Sequence, residues 1–171
     1  MTCIRTAPLL VAAILCCGLG GCAYWPGMSE GPRYTLTLHQ VVSGSDLGRG
    51  RVLTLAGFNG KTVVVHPAPL LSSSSFVRIE KAAKTGEPPA LMAFLDRHGQ
   101  YVWMQIRGNL IGQSVAVAVD GWCQSITTVT AMGTPDAEVI CLPGPWNEAE
   151  ANAVITHAAE NYSLLNDAHS Q

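Results

Sequence analysis

The side chains best suited to acid–base or metal chemistry in this chain are five histidines, at positions 39, 66, 98, 157 and 169. No two of them stand at a metal-ligand spacing with a third ligand, and four lie near predicted strand or helix ends, where a histidine is solvated. The carboxylates offer no better pair. Asp46, Asp96, Asp120 and Asp136 fall in predicted turns, where Asp bonds its own backbone. Glu148 and Glu150 fall in the first turn of a predicted helix, where the macrodipole stabilises negative charge. Ser114 follows Gly112-Gln113 but lacks the second glycine of a nucleophile elbow. These residues predict no metal, no cofactor and no catalytic constellation. The enzyme alternative is an envelope hydrolase with an unfamiliar site, tested first at His66, His98 and Ser114.

The cysteines carry more information. Arg5, an apolar run from Ala7 to Leu19 and Leu19-Gly20-Gly21-Cys22 follow one another at the amino terminus. This resembles a bacterial lipoprotein signal peptide over residues 1–21 with its lipobox, which implies removal of that segment and lipidation of Cys22. Ordinary cleavage after Ala23 is the alternative. The run of 13 residues is short of the roughly 20 a helix needs to cross a bilayer. Ala23 in place of aspartate points to the periplasmic face of the outer membrane. Processing leaves Cys123 and Cys141 as the remaining thiols. In an oxidising compartment an even pair predicts a disulfide; two buried, reduced cysteines are the alternative. A hairpin turning about Met132 would set the two opposite each other, and closing that loop would contribute about 3 kcal/mol.

With a net charge of −2 and no basic patch, nucleic acid is excluded as a partner. The mature length is that of one domain with one core. Residues 22–32 read as a lipid tether and 33–171 as the domain.

Periodicity supplies the elements. Tyr34 to Val42 alternates as a half-buried strand; Val52 to Leu55 and Thr62 to His66 are strands about the Asn59-Gly60 turn, the second central or well covered. Ser72 to Ser75 reads as the cap of a helix over Phe76 to Lys84, with Phe76, Ile79, Ala82 and Ala83 on one face and Gly86 ending it. Leu91 to Leu95 is a strand, Gln100 to Arg107 a helix and Val115 to Val119 a strand. Asp120-Gly121 is a hairpin turn, and strands Trp122 to Thr130 and Ala137 to Leu142 form the cysteine hairpin. Asn147 caps a last helix with Glu150 completing a capping box, and Ala151, Val154, Ile155, Ala158, Tyr162 and Leu165 form its apolar stripe. The sum is an α+β fold, one mainly antiparallel sheet with helices packed on a face.

Several of these segments also share a pattern. Met92-Ala93-Phe94-Leu95-Asp96, Gly99, Trp103, Asn109 and Gly112, Val115 to Val119, Asp120-Gly121, and Gly144, Trp146 and Glu150-Ala151 follow at matching spacing. From Leu91 to about 165 the chain thereby resembles the head subdomain of the first periplasmic region of SecD, the accessory subunit of the bacterial Sec translocase. The departures are Trp122-Cys123-Gln124-Ser125 where that family has small residues and proline, and Arg107 where it often has threonine. The resemblance implies a SecD-head-like fold and contact with polypeptides.

The reading that results is a non-catalytic, lipid-anchored periplasmic protein, export-associated, that binds a protein or peptide through a sheet edge or the groove beside the last helix. Trp122, Tyr101 and Arg107 are its candidate contacts. A periplasmic inhibitor or immunity lipoprotein is the alternative within the binding class, and a spacer-like structural lipoprotein a third reading.

Overall fold

Alternation of large and small side chains along Val115-Ala116-Val117-Ala118-Val119 sets the architecture. In the computed structural model, which describes residues 31–44, 50–57, 60–82, 90–134 and 136–167, this segment is the strand β7 (Ser114–Val119), buried on both faces. Its valines join the main core while Ala116 and Ala118 join a second, smaller cluster on the opposite face. Cys22 and the signal segment lie outside the described residues.

β7 pairs antiparallel with β1 (Leu36–Gln40) and β8 (Trp122–Thr128). β8 continues to β2 (Leu53–Gly57), and β2 to β3 (Thr62–Val65). The sheet does not stop at β3. Val41 bridges Val65, Val42 N–H donates to Val64 O at 2.9 Å, and His66 N–H donates to Gln40 O at 2.9 Å, so the end of β1 meets β3. Five strands thus close into a small barrel. A ring of five cannot reverse direction at every step, so one neighbouring pair has to be parallel. That pair is β2 with β8, joined only at Ala56–Trp122 and Gly57–Cys123. Leu55, Val65, Ala116, Ala118 and Cys123 fill the inside, where small residues suit the crowding of a narrow barrel.

β4 (Leu71–Ser72) extends the sheet along β1. A second sheet holds β5 (Phe76–Lys81), β6 (Leu91–Leu95) and β9 (Val139–Leu142), with β6 in the middle. Between the sheets lies the main core, with α1 (Arg97–Asn109) giving Trp103 and Ile106 and α3 (Glu148–Asp167) giving Ala151, Val154 and Ala158. Asp96 caps α1, accepting from Gly99 N–H at 2.6 Å, and Tyr162 of α3 donates its hydroxyl to the other Asp96 oxygen at 3.3 Å. The fold is α+β with antiparallel-dominated sheets, as the periodicity predicts, in two sheets rather than one.

Three expectations are corrected. Phe76 to Lys81 is a strand, not a helix; Ser73–Ser75 is a single 3-10 turn, in which Ser73 Oγ accepts from Leu36 N–H at 2.8 Å. A bulge between Phe76 and Arg78 shifts the strand's parity, so Phe76 and Ile79 both face inward and mimic a helical i, i+3 stripe. The cysteine hairpin does not form. Thr128 caps a helical turn, α2 (Val129–Met132), which buries Val129 and Met132 and sends the chain to the other sheet, where Cys141 pairs with Met92. Cys123 is paired with Ala118 in the barrel while Cys141 stands in the second sheet, so the hairpin that would set them opposite each other is not made and no disulfide joins them. Lastly, His39 is not a solvated terminal histidine. At 6% exposure it faces the barrel interior opposite Ala116, its Nδ1–H donating to His66 O at 2.9 Å and its Nε2 3.2 Å from Thr37 Oγ1.

Candidate functional site

Where the parallel seam ends, the surface opens. Gly57 turns β2 away, its N–H donating to Lys61 O at 2.7 Å; a Cβ there would stand 2.4 Å from that same oxygen, so only glycine fits. β8 departs on its side through a register shift opposite Val117 and Ala118. The diverging strands leave a groove of about 450 Å³ bounded by Tyr34, Gly57, the Asp120-Gly121 turn, Trp122, Gln124 and Glu150. A smaller depression of about 270 Å³, with Lys61, Val63 and Ile126 on its wall, shares Gly57, Cys123 and Gln124 with it. Burial pushes the Cys123 thiol pKa upward, which keeps it protonated and unreactive.

Two carboxylates face the groove, and their states differ. Asp120 (φ +47°) and Gly121 (φ +83°) make the left-handed hairpin turn that Asp-Gly predicts. From it Asp120 accepts from Tyr34 N–H at 3.0 Å, Thr35 N–H at 2.7 Å and Thr35 Oγ1 at 2.8 Å, and Asp120 N–H donates to Thr35 O at 2.9 Å. Its acceptor capacity is largely spent on fastening the segment that leads into β1. Asn161, 1% exposed, helps from α3: its Oδ1 accepts from Arg33 N–H at 3.2 Å and its Nδ2 donates to Arg33 O at 2.6 Å. The Tyr34 ring stacks on His157, centroids 5.4 Å apart.

Glu150 is different. Asn147 Oδ1 caps α3 by accepting from Glu150 N–H at 2.8 Å, yet Glu150 Oε2 is buried with no hydrogen-bond partner, so the predicted capping box is only half made. Its neighbour in the first turn, Glu148, pairs with Lys81 instead.

Trp122 lies over this groove, 61% exposed at the first position of β8. Tyr101 and Arg107 do not join it. Both are exposed on α1, where Tyr101 (53%) and Met104, with Ile111 (73%) just beyond the helix, form an apolar ridge. Arg107 lines a shallow hollow with Ile111, Thr130 and Thr134. Among the described residues no three His, Cys, Asp or Glu side chains gather as a metal site would require. Nor is any described helix long and apolar enough to cross a membrane. Among the groove residues the sequence did not single out as contacts, Tyr34 brings a second ring and Glu150 a buried, unpartnered oxygen. An i, i+3 cap pair placed beside an Asp-Gly hairpin is their only trace in sequence.

No family model matches the chain, and no curated protein matches it in sequence. Solved structures do. The fold is SecDF-like. A structure of SecDF, described as a membrane component that enhances protein export, superposes with a TM-score of 0.53 at 16% identity, covering 80% of this chain and 71% of that one. SecDF in its super-membrane-facing form gives a TM-score of 0.53 at 13% identity over 75% of this chain, which spans 19% of that protein's length. At such identities the likeness is one of fold. Its 80% coverage exceeds the stretch from Leu91 to about 165, so the shared SecDF-like architecture takes in strands before β6 as well.

Proposed function

We propose that this protein is a non-catalytic, lipid-anchored component of the cell envelope that binds polypeptide at the Trp122 groove, in association with export. The observation that carries the reading is Trp122 itself. A tryptophan held 61% exposed over a concave surface, in a SecDF-like fold, has the character of an interface anchor. Tyr101 and Arg107 on α1 offer a second contact area. Cys22 supplies the membrane attachment, on the periplasmic face of the outer membrane, leaving the domain to face the periplasm.

The test is cross-linking in living cells from a photoreactive residue at position 122, with and without Cys22→Ala. Recovery of Sec components or of chains in transit, reduced by Cys22→Ala, is the expected outcome. Recovery of a single unrelated enzyme would replace export with inhibition. No position-specific product in either form would remove the binding reading.

A further inference from the structure

The chemistry left unused in the groove defines what enters it. Asp120 is committed to the backbone of Tyr34 and Thr35, whereas one oxygen of Glu150 is buried without a donor. Among the described residues no Lys or Arg lines the groove; Lys61 belongs to the adjoining depression and Lys81 to Glu148. A carboxylate oxygen withdrawn from water is costly unless a donor meets it, and the strongest donors are cationic. Beside it stand an exposed indole and a tyrosine, whose π faces attract cations. A volume of about 450 Å³ lies in the lower range of pockets that hold a ligand.

We infer that the groove receives a Lys or Arg side chain of the bound polypeptide, with the Glu150 carboxylate as counter-ion and Trp122 as the surface on which its apolar stem lies. The inference rests on the reading of the groove as a polypeptide site and adds the charge of what it selects. Glu150 is suited to the part because it lies on a helix whose start is already capped by Asn147, so its side chain is not needed to hold the fold. Trp122 is suited because its indole stands outside both cores.

A random dodecapeptide library panned on the full chain carrying Cys22→Ala, purified in mild detergent, tests this, with Glu150→Gln and Trp122→Ala as variants whose folding is checked by circular dichroism. Binders lost on Trp122→Ala should be enriched in Lys and Arg. For a synthetic binder, replacing its Lys by norleucine should weaken binding about tenfold; Glu150→Gln should do the same, and the two changes together should cost less than their product. Binding should also weaken as salt rises. Binders that depend on Trp122 without Lys or Arg enrichment, or a norleucine peptide that binds as well as its parent, would overturn the charge selection while leaving the groove as a polypeptide site. Absence of any Trp122-dependent binder would overturn both.

Discussion

Replacing Asp120 tests how the chain is fastened as it leads into β1. Its carboxylate accepts three hydrogen bonds, from Tyr34 N–H, Thr35 N–H and Thr35 Oγ1, while its backbone sits at φ +47°. The bonds are exposed, so each is taken at about 1 kcal/mol rather than the larger value of a buried charged acceptor. Asp120→Ala then forfeits about 3 kcal/mol of bonding and adds about 1 kcal/mol for alanine in the left-handed region. Asp120→Gly loses the bonds but not the backbone fit, and the entropy that glycine gives up on folding adds about 1 kcal/mol to the loss of about 3 kcal/mol. Asp120→Asn keeps the two bonds to Thr35 but turns an NH₂ toward Tyr34 N–H, costing about 1 to 2 kcal/mol. Urea unfolding followed by fluorescence of the buried Trp103 and Trp146 reads all three against the parent at constant m value. An Asp120→Asn variant within 0.5 kcal/mol of the parent would refute the hydrogen-bond reasoning. Ala no less stable than Asn would refute the whole ordering.

Three further expectations come from other parts of the fold. The Tyr162 hydroxyl pKa is raised by burial, and further by the charge of Asp96 and the hydrogen bond to it. Below pH 10 both folded and unfolded chains hold this proton; above it the unfolded chain releases it first, so stability falls as pH rises past 10, and Tyr162→Phe should flatten that fall in a pH series of thermal melts. Maleimide labelling of a variant keeping only Cys123 and Cys141 should modify both without reductant, Cys141 well before the buried Cys123; an intact mass lower by two hydrogens and a refusal to label would restore the bridge. Gly57→Ala should cost about 1 to 3 kcal/mol and loosen the β2–β3 turn, seen as faster amide exchange at Gly57 and Gly60, because its Cβ meets Lys61 O at 2.4 Å.

What was legible in the sequence was what one period expresses. The Val-Ala alternation of β7, the Asp96 cap before α1 and the stripe of α3 each carry their geometry locally. The failures occur where a local pattern is ambiguous or where the partner is remote. Phe76 and Ile79 are three apart in a helix and also three apart across a bulge, and nothing in the sequence separates the two. The alternation of β8 was correct, but Thr128, Val129 and Met132, a cap followed by an i, i+3 apolar pair, outweighed the turn residues after them. Closure of the barrel rests on Val41 meeting Val65 across 24 positions of chain, a pairing no window reveals. Of the groove, Trp122 was legible as an exposed aromatic after a turn; the buried, unpartnered oxygen of Glu150 was not, since its spacing from Asn147 promised a bond that is only half made.

Closure of that ring also bears on how copies of this chain meet one another. An unpaired strand is a template on which a second chain can add itself, and concentrated protein meets such strands often. Between β1, β7, β8, β2 and β3 every strand has a partner on both sides, so crowding offers little backbone for another copy to capture. Within the ring, exchange between neighbours would begin at the two-residue seam of β2 and β8, and there the exposed indole of Trp122 and the tight turn at Gly57 stand in the way of an incoming strand.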